Sequence, residues 1–314
     1  MKNFVRAMPV VLLAQLIWFT PYFPGKTRVL QAISKKIPLY LGDLKHHTGF
    51  IWSIDSGHAQ SMYLFSCEPF SSRVLLNFAP HVDMFLDIGA NRGWYSCLLK
   101  TANPNLEIHA FEPDEKIHNI LRNNLMQYLP VNENIHVNKM ATGRRNGFAT
   151  LSTYLGGNDG MMTLYPQDEM SIKSNQTVKI QAIDSYFPLK AKSMKEKLTL
   201  IKIDVEGSEL ETIEGAKEFI SLNRPFVLME INSLLLLTSK TTSKSVFDLM
   251  KSLGYIALWV DERGRMEICK NHDYPPHQRI LGVSAGANYL FLHQQEMKKP
   301  FILNFLSRYR VEVL

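Results

Sequence analysis

Three short runs pair chemically active residues with backbone that can expose them. Phe85-Leu86-Asp87-Ile88-Gly89-Ala90-Asn91-Arg92-Gly93-Trp94-Tyr95-Ser96 leads an apolar stretch into Asp87 and then into a turn framed by two glycines. Gly89 and Gly93 let backbone approach a ligand closely, and the helix start that follows offers free N–H groups. The run has neither the G-x-G-x-x-G of a dinucleotide fingerprint nor the G-K-S/T of a P-loop. Ala110-Phe111-Glu112-Pro113 puts an acid at the end of a second strand, 23 residues after Gly89. A carboxylate there accepts both hydroxyls of a ribose, as nucleoside cofactors require in open α/β sheets. Ile201-Lys202-Ile203-Asp204-Val205-Glu206-Gly207 ends a third, very apolar strand in two acids. Their open roles are taking a proton from a substrate hydroxyl, holding that hydroxyl, coordinating a divalent ion, or only tying down loop amides. They point the same way if the strand runs through both, and differ if it turns at Asp204. Glu230, in Leu228-Met229-Glu230-Ile231-Asn232, is a further acid facing the same edge.

These residues need a scaffold, and the pattern around them supplies one. From Met84 onward, short apolar strands (MFLDI, EIHAFE, IHVNKMA, LTLIKID, PFVLMEI, YIALWV, NYLFL) alternate with helical stretches. That is the sequence form of an open, mainly parallel sheet with helices on both faces. Asp114 is placed to cap a helix whose apolar stripe is Ile117, Ile120, Leu121, Leu125 and Tyr128. Ser208 and Glu211 form a capping box ahead of Leu210, Ile213, Ala216 and Ile220. Val246, Phe247, Met250 and Leu253 make a third stripe, stopped by Gly254. Between Phe148 and Ile183 the rhythm breaks into strand-like pieces around Gly156-Gly157-Asn158-Asp159-Gly160, the pattern of an inserted hairpin. His109 alternates inside a strand and reads as a packed or surface histidine. His58 lies in an aromatic, lid-like stretch and is a weaker candidate base.

The three motifs, in this order, resemble the FkbM family of S-adenosylmethionine-dependent methyltransferases. The resemblance runs from about Phe85 to Leu292 and includes Gln181-Ala182-Ile183-Asp184-Ser185-Tyr186. It implies a class I methyltransferase, Rossmann-like α/β fold: a seven-stranded, mainly parallel sheet with its last strand antiparallel and helices on both faces. It also implies S-adenosyl-L-methionine as cofactor and methyl transfer to a hydroxyl of a glycan, sugar or secondary metabolite. Carried over residue by residue, Asp87, Gly89, Ala90, Asn91 and Gly93 cradle the methionine portion, and Tyr95 and Ser96 close that motif. Glu112, followed by Pro113, holds the ribose, and Met140 and Ala141 lie near the adenine. Asp204, with Glu206, stands at the methyl-transfer site as catalytic residue and cofactor neighbour. A divalent metal is compatible with these acids and is not indicated by them. Arg92 departs from the family pattern where an aliphatic residue is usual, which puts substrate access in question. Other readings are a nucleic-acid methyltransferase and a cofactor-binding partner protein without turnover.

The chain has 314 residues and a formal charge of +6, 35 basic against 29 acidic groups. At 46% hydrophobic and 20% charged residues it is ordinary globular material, which excludes disorder and coiled coil. Residues 1–45 carry seven basic groups and one acid, so they hold the whole excess and the remainder balances at 28 against 28. A balanced core disfavours nucleic acid as partner and leaves a small-molecule or glycan acceptor. Met8–Phe19 is an apolar run of twelve, too short to span a bilayer. It reads first as a buried packing helix, then as a membrane-surface helix with basic flanks, then as a signal-peptide core. The expected organisation is an N-terminal helical arm (1–45), a lid or hairpin layer (46–80), the methyltransferase domain (81–293, inserted hairpin about 148–183) and a helical tail (294–314). The expected location is cytoplasmic, with peripheral membrane contact through residues 1–45. Three cysteines without a CxxC pair fit a reducing compartment and no zinc site.

Overall fold

The computed structural model describes residues 39, 41–46, 48–65, 67–128, 134–154, 162–166, 172–187, 197–261, 264–269 and 286–311. The apolar run of the N-terminal arm and the glycine-rich stretch at 156–160 lie outside those residues. The described chain starts with a hairpin, β1 (Gly42–Lys45) and β2 (Ile51–Ile54), then α1 (Gly57–Phe65) and α2 (Pro69–Phe78). Trp52 is fully buried, edge-on to Trp94 at 5.3 Å between ring centroids, a favoured aromatic geometry. Two amide side chains satisfy the outer edge of β2, which would otherwise expose unpaired backbone groups. Ile51 N donates to Gln127 Oε1 at 2.6 Å, Gln127 Nε2 donates to Ile51 O at 2.9 Å, and Ser53 N donates to Asn124 Oδ1 at 3.2 Å.

Next come β3 (Met84–Ile88), α3 (Trp94–Ala102), β4 (Glu107–Phe111), α4 (Glu115–Met126) and β5 (Ile135–Asn138). A smaller sheet follows: β6 (Ala141–Thr142), β7 (Gly147–Tyr154), β8 (Met162–Thr163) and β9 (Ile172–Gln181), in the order β6-β9-β7-β8. β7 and β9 pair antiparallel. After α5 (Ile183–Tyr186) the chain returns to the large sheet through β10 (Thr199–Ile203), α6 (Glu209–Glu214), α7 (Lys217–Asn223) and β11 (Phe226–Asn232). It ends with α8 (Ser233–Thr238), α9 (Ser243–Ser252), β12 (Tyr255–Asp261), β13 (Arg265–Ile268), β14 (Gly286–His293) and α10 (Pro300–Arg308).

The large sheet has the order β13-β12-β14-β11-β10-β3-β4-β5. β3, β4, β5, β10 and β11 run parallel, and the last strand, β14, lies antiparallel between β11 and β12. The expected seven strands are therefore eight. The extra one is β13, a four-residue edge strand that folds back on β12 after a turn at Gly264, whose φ is +94. Two of its four residues are exposed, so it lacks the apolar run that marks the inner strands. β3 and β10 are buried at every position because helices cover both faces. Their side chains alternate between two cores: Phe85, Leu200, Phe226 and Leu228 on the side of α2 and α10, Leu86, Ile201, Val227 and Met229 on the side of α7 and α9.

Helix ends follow local chemistry with one exception. Asp114 Oδ1 accepts from Ile117 N at 2.8 Å and starts α4, whose Ile117, Leu121 and Leu125 are buried. Thr242 caps α9 through Ser245 N, and Gly254, at φ +87, ends that segment. The capping box expected at Ser208 and Glu211 does not form. Ser208 Oγ donates to Val205 O instead, and Gly207 N donates to Glu209 Oε1. The helix expected over Leu210–Ile220 is split at Gly215, where an added Cβ would sit 2.0 Å from Gly143 O. Ile302, Phe305 and Leu306 bury α10 against α2, with Phe305 5.1 Å from Phe78. Cys67, Cys97 and Cys269 are free thiols. Among the described residues no helix is long and apolar enough to cross a membrane.

Candidate functional site

Where β3 and β10 end side by side, the glycine turn closes onto the acidic strand end. Asp204 N donates to Ile88 O at 3.0 Å, and a Cβ on Gly89, at φ +77, would stand 1.8 Å from Asp204 O. Only glycine permits that approach. The amides of the turn itself are spent inside the protein, and at the helix start that follows Ser96 N donates to Asp87. Gly89 N and Ala90 N both donate to Phe111 O, Asn91 N to Glu112 Oε2, Arg92 N to Asn91 Oδ1 and Gly93 N to Ala90 O. Asp87 is buried behind the turn, where Ser96 N and Oγ donate to it at 3.2 and 2.6 Å. Burial raises its pKa to about 6, against the pull of the Ser96 hydrogen bonds. Gly93, at φ +85, packs on Leu121 of α4. Arg92 points away from the site and is fully buried, where it makes a two-pronged ion pair with Asp55 at 2.7 and 3.1 Å. Its departure from the family pattern ties the turn to the N-terminal layer.

Glu112 sits one residue beyond β4, 5% exposed, with Oε1 accepting from Asp114 N and Oε2 from Asn91 N. Burial pushes its pKa up to about 7 despite those two amides. The carboxyl is thereby fixed in orientation beside the turn, with lone pairs left to accept further hydrogen bonds.

A cleft enclosing about 650 Å³, open to solvent, runs along this edge. It gathers Gly89, Asn91, Glu112, Pro113, Met140, Ala141, Asp204 and Glu206 from the residues expected at the site. Asp87, Ala90, Gly93, Tyr95 and Ser96 do not line it. Phe111, Leu151, Met162 and Leu164 make an apolar wall that the sequence reading did not assign. Three of these four come from β7, β8 and the residues just after β8, brought to the cleft by pairing that adjacent motifs cannot reveal. The apolar wall and a few convergent polar groups match a small-molecule site.

The strand ends at Ile203, so Asp204 and Glu206 lie in the turn, with Glu206 at φ 51. Beneath Asp204 a polar chamber opens on the side of α2 and α3. Lys202, 1% exposed, places Nζ 3.4 Å from Asp204 Oδ2 and 3.2 Å from Asn288 Oδ1. The Tyr95 ring lies 5.8 Å from that ammonium, and Tyr95 OH donates to Glu68. The pKa of Glu206 is raised by burial and by Asp204 and Glu209, that of Glu230 by the charge of Asp204 and then by burial. Lys202, Glu68 and Asn288 were not singled out from sequence. The available signal was a lysine inside an otherwise wholly apolar strand.

His109 is buried in the middle of β4, between Glu107 Oε1 at 2.8 Å and Tyr186 OH at 3.0 Å, a packed histidine as expected. With Glu107 and His136 it forms a cluster of metal-ligand type. Its two imidazoles stack at 4.4 Å and 16°, so their in-plane lone pairs run nearly parallel and do not converge on one ion, and Lys197 occupies Glu107. His58 lies on α1, outside the cleft lining.

The family model of the methyltransferase FkbM domain matches residues 87–257, more than half of the chain and the whole span from the glycine turn to β12. The chain belongs to the FkbM family. Methyltransferase sdnD of Sordaria araneosa is 28% identical over 165 residues, which are 44% of this chain and 62% of that protein. The chain thus matches less than two thirds of that relative's length. Among solved structures, methyltransferase FkbM from Methylobacillus flagellatus aligns at 14% identity with a TM-score of 0.40, over 92% of this chain and 60% of that one. An O-methyltransferase from Bacillus cereus in complex with SAH aligns at 12% identity and TM-score 0.36, over 87% and 91%.

Proposed function

We propose that this FkbM-family chain is an S-adenosylmethionine-dependent O-methyltransferase with a class I catalytic domain. The carrying observation is the single cleft that joins Gly89, Asn91, Glu112, Met140 and Ala141 to Asp204. The residues fit the cofactor. A buried, pre-oriented carboxyl at Glu112 suits the ribose diol. Phe111, Met140, Leu151, Met162 and Leu164 offer an apolar slot for the adenine, and Gly89, Asn91 and Asp204 lie where the amino-acid portion would sit. Asp87, Gly93, Tyr95 and Ser96 support the turn from behind.

When bound, the cofactor supplies a methyl carbon on a cationic sulfur, which keeps the bond electrons as the acceptor oxygen takes the methyl. The protein aligns that oxygen and removes its proton. Asp204 is the group at the cleft for this, since its carboxylate can accept the hydroxyl proton directly. Glu206, its pKa raised by burial and then by Asp204 and Glu209, is suited to donating a hydrogen bond to the acceptor. Among the described residues the cleft lining holds no lysine or arginine to take a phosphate, and its acidic side chains are Glu112, Asp204 and Glu206. The acceptor is accordingly a neutral, hydroxyl-bearing glycan or metabolite in preference to nucleic acid. We assign residues 1–45 to an arm outside the catalytic domain, 46–80 to its covering layer, and the protein to the cytoplasm, with the basic arm free to meet anionic lipid.

The test incubates the full chain with methyl-tritiated S-adenosylmethionine and cell material fractionated into polysaccharide, lipid, small molecules and RNA. Label in a hydroxyl-rich neutral fraction is expected. Label in RNA alone would replace the reading with nucleic-acid methylation, and cofactor binding with no labelled fraction would support a protein without turnover.

A further inference from the structure

We propose that Lys202 is a positioning residue for Asp204, its ammonium anchored on Asn288 and supplying the counter-charge that holds the carboxylate at the edge of the cleft. This assignment rests on the methyl-transfer reading and adds to it residues that do not line the cleft. β10 delivers Lys202 two positions before Asp204, and β14, lying antiparallel against β11, delivers Asn288 opposite Glu230. Nζ reaches Asp204 Oδ2 at 3.4 Å and Asn288 Oδ1 at 3.2 Å, and among the described residues Lys202 is the only ion-pair partner of Asp204. A charge at 1% exposure is tolerated only when paired and hydrogen-bonded. Burial pushes the Lys202 pKa down, and Asp204, Glu68 and Glu230 more than reverse that push. The ammonium therefore persists through the working pH range.

The chamber explains why a counter-charge is needed. Cys67 and Glu68 face it from just before α2, Tyr95 from α3, Asp87 from β3, Glu206 from the turn after β10, Glu209 from the start of α6, and Glu230 from β11. Several acids and one cation share a poorly solvated space. Burial and Asp204 together drive Glu206 toward the protonated form, Asp204 and then burial do the same to Glu230, and Lys202 makes its ion pair with Asp204. Removing the ammonium takes from Asp204 the partner that fixes its carboxyl at the edge of the cleft.

The experiment compares the full chain with K202M, K202R and N288A. Three readouts are S-adenosylmethionine affinity by calorimetry, label transfer into the fraction that wild type labels between pH 6 and 9, and melting temperature between pH 5.5 and 8.5. K202M should lose about tenfold or more of its transfer near neutrality, with cofactor affinity within about threefold. The loss should appear in the rate at saturating S-adenosylmethionine and not in the KM for that cofactor. K202R should recover most of the transfer. The melting deficit of K202M should be larger at pH 8.5 than at 5.5, because ionised acids then lack their cation. If K202M does not fold, N288A carries the test, with a smaller loss of the same kind. Unchanged transfer in K202M, or a K202R no better than K202M, overturns the assignment while leaving methyl transfer standing. A wild type that labels no fraction overturns both, and the melting arm still shows whether Lys202 is paired with the acids.

Discussion

Glu112 and Gly89 show how much a single residue decides here. The Glu112 carboxyl titrates near pH 7 because burial outweighs its two amide donors. Ribose hydroxyls donate hydrogen bonds, so they favour the ionised carboxylate, and cofactor binding must expel the proton below that pH. S-adenosylmethionine affinity should accordingly weaken as pH falls below about 7. Glu112→Gln should weaken it about tenfold at pH 8 and flatten the dependence, which calorimetry at pH 6, 7 and 8 would read directly. An equally steep profile in the variant would remove Glu112 from cofactor binding. Gly89→Ala places a methyl group 1.8 Å from Asp204 O at a φ of +77. The two strand ends must then separate, and both melting temperature and cofactor affinity should fall.

At the scale of elements, capping distinguishes two helix starts that look alike in sequence. Asp114→Ala should cost about 1 kcal/mol in urea denaturation, since its carboxylate receives Ile117 N. Ser208→Ala should change stability by less than about 0.5 kcal/mol, because Ser208 caps no amide of α6. A large loss at Ser208 would show that its bond to Val205 O shapes the acidic turn. The strands that carry the site were legible from sequence because burial on both faces turns them into continuous apolar runs ending in an acid. β13 was not, being short, half exposed and defined only by its partner β12. The broken helix at Gly215 was also hidden, since the contact that forces the break, Gly143 O, lies about seventy residues away. Asp204, Glu112 and Gly89 announced themselves through motif. The wall from the small sheet and the Lys202–Asn288 pair depended on which strands became neighbours.

For the whole molecule, the raised acids predict an unusual response to pH. Asp87 near 6 and Glu112 and Glu209 near 7 all bind protons more tightly folded than unfolded. The stability that their protonated forms contribute is complete below the unfolded carboxylate range and is lost as pH rises through 6 and 7. The protein alone should therefore melt at a higher temperature near pH 5 than near pH 8, opposite to a protein held by salt-bridged carboxylates. Melting that rises across this window would show that these groups are better solvated than their burial implies. Charge also divides the chain at larger scale, with a balanced core following a +6 arm.

The most direct test of the account is the initial rate of label transfer by wild type and Asp204→Asn at saturating S-adenosylmethionine, into the fraction that wild type labels. A fall of about a hundredfold or more, with the cofactor raised to saturate each protein, is the predicted result. Equal rates in the two proteins would contradict it.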